Sequence, residues 1–236
     1  MKRAAVFDAT LKNYLAQIGG VDLQARADRL GATVSEGALL LLLYKIPYRV
    51  SGQGVFDADG QRADFAVSVV LCRYILQCPD TVPAPGAWMT YRGFRDAAPL
   101  TGYFTANTNT VIETTFAGRL APLRDACHRR GGRIVDEPSF DLAVAFDFLP
   151  RIPVALRFND RDDEFPAQSL VLFRQSAEHY LDMECLSIGG TLLARLLVDG
   201  AAGNKVEKNS AGPIGQAGHL SAAASSTGYK SGEAKR

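Results

Sequence analysis

Apolar residues at Phe7, Leu11, Leu15 and Ile18 recur at the spacing of one helical face, and Gly19-Gly20 ends the run. Asp22 then stands as the N-cap of a shorter helix reaching Leu30, with Gly31 able to take the left-handed conformation that closes it. Ala38 to Ile46 is a continuous leucine-rich run flanked by glycine and proline, which predicts a strand covered on both faces. Short strands at Tyr48–Val50 and Val55-Phe56, set around Gly52 and Gly54 with a tight turn at Asp59-Gly60, extend it into an antiparallel meander over residues 38–63.

Asp64 caps a helix with apolar positions Val67, Val70, Leu71, Tyr74 and Ile75, which Pro79 stops. Thr110 to Glu113 has the spacing of a capping box, followed by Phe116 and Leu120 until Pro122 breaks or restarts the helix. Phe140, Leu142, Val144, Phe146 and Phe148 alternate with Asp141, Ala143, Ala145 and Asp147, the pattern of a half-buried strand. Ile152, Val154, Leu156 and Phe158 repeat it, Leu170–Phe173 answers after a turn, and a helix from about Asp182 to Val198 covers one sheet face.

This order predicts an α+β domain over residues 1–199, an antiparallel β-sheet with meander and hairpins packed by several α-helices. Residues 200–236 are rich in Gly, Ser, Ala and Lys, too poor in large apolar groups to offset the entropy of ordering, and are predicted to be a disordered tail.

Charge adds little to that picture. The net charge is +1, with 21 basic and 23 acidic residues in 1–199 and 5 against 2 in the tail, so no field draws nucleic acid or an anionic membrane. No segment reaches the roughly 18–20 apolar residues of a membrane span. The start Met1-Lys2-Arg3 meets Asp8 before a signal-like apolar core develops. A cytoplasmic protein follows. Cys72, Cys78, Cys127 and Cys185 are too scattered for a disulfide framework, lack Cys-x-x-Cys spacing and form no iron–sulfur cluster motif within this chain.

Candidate chemistry is sparse. His179 beside Tyr180 has the residue types of a proton shuttle or an axial metal ligand; the structural alternative is that its ring nitrogens bond backbone at a strand–helix junction. His128, near a helix C-terminus, complements the dipole. Asp160, Asp162 and Glu164 offer alternate oxygens of the kind Ca²⁺ or Mg²⁺ takes, yet a solvated hairpin turn needs the same residues, and no glycine folds the loop around an ion. Trp88, with Tyr91, Arg92, Phe94 and Arg95, could stack a ligand or pack on the sheet. Gly189-Gly190 inside the last helix costs about 1 kcal/mol per glycine relative to alanine, which implies close helix–sheet packing or a cofactor approaching the backbone.

The runs Pro150-Arg151-Ile152-Pro153-Val154, Asp163-Glu164-Phe165-Pro166, Leu172-Phe173 and Ser176-Ala177-Glu178-His179-Tyr180-Leu181 resemble the domain of unknown function 3786 family. Weaker echoes are Arg29-Leu30-Gly31-Ala32, Tyr74-Ile75-Leu76, and Trp88 with Tyr91-Arg92, so that the likeness spans about Tyr14 to Leu197. Gly93 and Cys185 depart from it, standing where acidic residues are expected; if those acids form part of a site elsewhere in the family, this chain lacks it.

The resemblance implies anaerobic bacteria and archaea, and relatives joined to iron–sulfur segments related to those of corrinoid proteins, but no particular reaction. It points to an accessory domain binding a ligand or partner in anaerobic one-carbon, corrinoid or iron–sulfur metabolism, with a corrinoid or iron–sulfur protein as partner. The alternatives are an enzyme using His179 as general acid/base with Tyr180, Arg151 or the acidic turn, and a purely structural interaction module with an exposed apolar patch.

Overall fold

A computed structural model describes residues 2–202, with side chains from residue 7 onward. Helix α1 (Lys2–Gly19) presents Leu11, Tyr14, Leu15 and Ile18 to the core. Helix α2 (Leu23–Leu30) starts where the Asp22 carboxylate accepts the N–H of Ala25 at 3.0 Å, and stops at Gly31 with φ 64°. Helix α3 (Phe65–Leu76) starts in the same way, with the Asp64 carboxylate accepting the N–H of Val67 at 2.8 Å.

Strands β1 (Thr33–Ser35), β2 (Ala38–Leu43), β3 (Ile46–Ser51) and β4 (Gly54–Asp57) form an antiparallel meander in sequence order. The single strand expected up to Ile46 is instead a strand and a turn, because Tyr44 and Lys45 take φ of 47° and 66°, the pair of left-handed conformations that matches the twist of a two-residue hairpin. β2 is also not covered on both faces. Leu39, Leu41 and Leu43 are buried, but Leu40 and Leu42 are 38% and 46% exposed.

A second antiparallel sheet has the order β5-β9-β8-β7-β6, with β5 (Trp88–Thr90), β6 (Arg133–Ile134), β7 (Leu142–Leu149), β8 (Ile152–Asn159) and β9 (Gln168–Arg174). Val144, Phe146, Val154, Leu156 and Phe173 are buried on one face. β7 and β8 are more than half-buried, contrary to the alternating pattern, because Ala143, Ala155 and even Arg157 on the opposite face are buried as well. The sheets meet where the N–H of Tyr44 donates to the Phe148 carbonyl at 3.0 Å.

Helix α4 (Thr101–Phe104) runs through a π-helical stretch, Thr105–Asn109, into α5 (Thr110–Phe116). The expected capping box at Thr110 is therefore absent: Thr110 lies inside a continuous helical path, and the Glu113 carboxylate turns outward to accept the N–H of Ser169 at 2.9 Å. Asn109 likewise accepts the N–H of Val171 at 3.3 Å. These two side chains satisfy part of the β9 edge that the short β5 does not pair.

Helix α6 (Leu120–Arg129) holds Pro122 in its first turn. The central helix α7 (Met183–Ala201), capped by Asp182, packs on α3, α5 and α6. Gly200 and Ala201, expected in the disordered tail, are helical; the tail beyond 202 lies outside the described residues.

Candidate functional site

Three residues recognisable in the sequence converge on one helix end. Arg151 Nη2 donates to the Asp28 carbonyl at 2.6 Å, the Tyr180 hydroxyl to Arg29 O at 3.4 Å and the Tyr74 hydroxyl to Leu30 O at 2.7 Å. The last carbonyls of α2, of which Asp28 O also accepts the capping N–H of Gly31 at 3.1 Å, are thus received one by one. Arg26 returns the arrangement by donating to Ile75 O and Leu76 O at 2.6 and 3.1 Å, at the end of α3. Gly31 permits the approach, since a Cβ there would lie 2.9 Å from Pro150 Cβ in addition to its positive φ. The Tyr74 phenol is pushed well up by burial. The cluster is a mutual cap of two helices.

His179 does not join it. It ends the 3-10 turn Gln175–His179 with an exposed side chain, whereas the neighbouring Tyr180 is buried against Tyr74, ring centroids 5.6 Å apart. The expected hydrogen bonds of the His179 ring to backbone are not found among the described residues.

The acidic turn is likewise organised by its own backbone. Asp160 accepts the N–H groups of Gly118 and Arg161, and Asp162 those of Glu164 and Phe165 at 2.8 and 2.7 Å, which holds the Asp162 carboxyl below its usual range. Among the described residues no group of three or more His, Cys, Asp or Glu side chains is placed to hold a metal ion.

Trp88 lies under the Arg174 guanidinium, 4.1 Å from its ring centroid, with Arg157 at 6.0 Å; Arg157 in turn pairs with Glu137. At Gly189 and Gly190 a Cβ would overlap the rings of Phe148 and Phe104, so those side chains occupy the space beside the helix backbone. The Gly189 carbonyl accepts the Tyr44 hydroxyl at 2.8 Å. Gly93 closes the 3-10 turn Tyr91–Gly93, where a Cβ would meet Met89 Cε at 3.2 Å, and the Tyr91 hydroxyl of the same turn donates to Met183 O at 2.7 Å. Cys185, two residues after Met183, is buried, which pushes its thiol well up.

A concave surface lies elsewhere, on the outer face of the meander. Cross-strand register places Thr33, Leu40, Arg49 and Phe56 in one row and Leu42 with Pro47 in the next. A groove of about 710 Å³ spans Leu40, Leu42, Pro47 and Pro150 and is bounded by Lys45 and Asp147. A second hollow of about 330 Å³, lined by Ser51, Gln53 and Phe56, shares Arg49, Asp57 and Ala58 with it.

Asp147 accepts Lys45 Nζ at 2.9 Å and both Arg133 terminal nitrogens at 2.9 Å, and the Arg133 hydrogen bonds, then Lys45, lower its carboxyl to about 2. Sequence reasoning missed this surface because the five consecutive leucines of β2, Leu39 to Leu43, erase the alternation that marks a face. The signal was on β3, where Pro47 and Arg49 alternate with Ile46, Tyr48 and Val50.

Fold and surface together define an α+β domain with an open groove on one of its two antiparallel sheets. Residues 22–196 match the family described as Domain of unknown function (DUF3786), and the chain belongs to that family. No curated protein and no solved structure matches it.

Proposed function

We propose that this is an accessory binding domain that presents the outer face of its meander to a protein partner. The carrying observation is the pair of exposed leucines, Leu40 and Leu42, on a continuous groove. Apolar side chains held open on a rigid sheet favour association, since covering them removes apolar area from water. The separation of His179 from Tyr180 and Arg151 supports a binding role over acid–base chemistry at that position. The partner class is the one the family resemblance suggested, a corrinoid or iron–sulfur protein of anaerobic one-carbon metabolism, and the four free cysteines suit a reducing cytoplasm.

The test is anaerobic purification from the native host of the wild-type chain and of the Leu40→Asp/Leu42→Asp variant, followed by absorption spectroscopy and mass identification. A stoichiometric partner bearing a corrinoid or iron–sulfur chromophore, lost in a variant with unchanged circular dichroism, supports the proposal. A partner retained by the variant, or a wild-type chain that purifies alone, overturns it.

A further inference from the structure

The groove has two chemically different ends. Leu42 and Pro47 stand at one; at the other, Arg49 pairs in register with Phe56, and Arg62 lies over the Phe56 ring at 5.1 Å. Gly54 makes room for that stack, because a Cβ there would meet Phe56 at 2.8 Å and Arg62 Nη1 at 3.1 Å.

The acids lining the groove are already engaged. Asp147 is held by Lys45 and Arg133, and the Asp57 carboxylate accepts the N–H groups of Asp59 and Gln61 at 3.0 and 2.9 Å. Arg49 meets Glu36 at 3.4 Å, with side chains 50% and 77% exposed, a rim pair that an incoming carboxylate displaces at little cost.

We infer that the groove receives a peptide segment of a partner protein in which an apolar side chain is followed two residues later by an acidic one; this rests on the docking function proposed above. Guanidinium groups match carboxylates in planar, bidentate geometry, and Ser51 and Gln53 line the adjoining hollow together with Arg49 and with Phe56, the ring over which Arg62 lies. Positions 40 and 42 are two residues apart on a strand, about 7 Å. That is the i, i+2 spacing of an extended peptide, so one side chain covers Leu42 and Pro47 while the next on the same side reaches Arg49. With a net charge of only +1, selection is local rather than a long-range field.

The probes are short fluorescein-labelled peptides of repeating Leu-Ser-Glu-Ser, and of repeating Leu-Ser-Lys-Ser, in which the leucine and the charged residue stand two apart on one side of an extended chain, titrated by anisotropy against the full chain. The glutamate peptide binds at least about tenfold more tightly than the lysine peptide, and Arg49→Glu/Arg62→Glu abolishes or reverses that preference. Arg49→Gln/Arg62→Gln, checked by circular dichroism, serves as a milder second variant and also loses the preference. Equal binding of the two peptides, preference for lysine, or binding of neither overturns acidic selectivity. If the native partner is still lost from Leu40→Asp/Leu42→Asp in that case, the docking face stands and only its selectivity falls; if the partner is kept, the docking function itself fails.

Discussion

The Tyr74 hydroxyl donates to the Leu30 carbonyl at 2.7 Å and accepts the backbone N–H of Arg151 at 3.2 Å, tying α2, α3 and the β7–β8 hairpin through one buried oxygen. Tyr74→Phe removes that oxygen and leaves two polar groups without their partner. It is expected to destabilise the fold by about 1–3 kcal/mol in urea unfolding. A loss below about 0.5 kcal/mol would show that the cap contributes nothing.

Gly189 is set by Phe148. Gly189→Ala gains about 1 kcal/mol of helix propensity, but the new methyl overlaps the Phe148 ring, and overpacking of this kind costs about 1–3 kcal/mol. The net effect is destabilising. In a Phe148→Ala background the same substitution should cost less, which a double-mutant cycle of denaturation midpoints measures.

Those two clusters show how much was legible in the sequence. Asp22, Gly31 and Asp64 mark helix ends by chemistry acting within three or four residues, and each sits where its type predicts. Tyr44-Lys45 carries no such signal. A tyrosine holds a left-handed conformation there because its ring stacks on Phe148, centroids 5.0 Å apart, and its hydroxyl reaches Gly189, 145 residues away.

Glu113 misled for the same reason, since its partner Ser169 is distant in sequence. The glycine pair was legible as close packing, though not the rings that fill the space. The groove was hidden by the uniformity of its leucines.

Acid should act on Asp147. Its carboxyl is lowered to about 2 in the fold, against about 3.9 in an unfolded chain, so the stabilisation is fully present above about pH 4 and is lost as pH falls through about 2. With all three side chains partly exposed, screening limits the contribution to roughly 1 kcal/mol. The stability difference between wild type and Asp147→Asn should therefore shrink between about pH 5 and about pH 2 in urea titrations. A difference independent of pH would contradict the pairing.

His179→Ala is expected to be silent. The side chain is exposed and outside the Tyr74–Tyr180–Arg151 cluster, so the thermal midpoint should reflect a change within about 0.5 kcal/mol. Partner binding should also be unaffected.

The most direct test of the docking face is hydrogen–deuterium exchange of the full chain, alone and in its co-purified assembly. The docking account predicts new protection over Ala38–Ser51, centred on Leu40, Leu42 and Arg49. Protection confined to Gln175–Tyr180 around His179, with exchange of β2 and β3 unchanged, would contradict it.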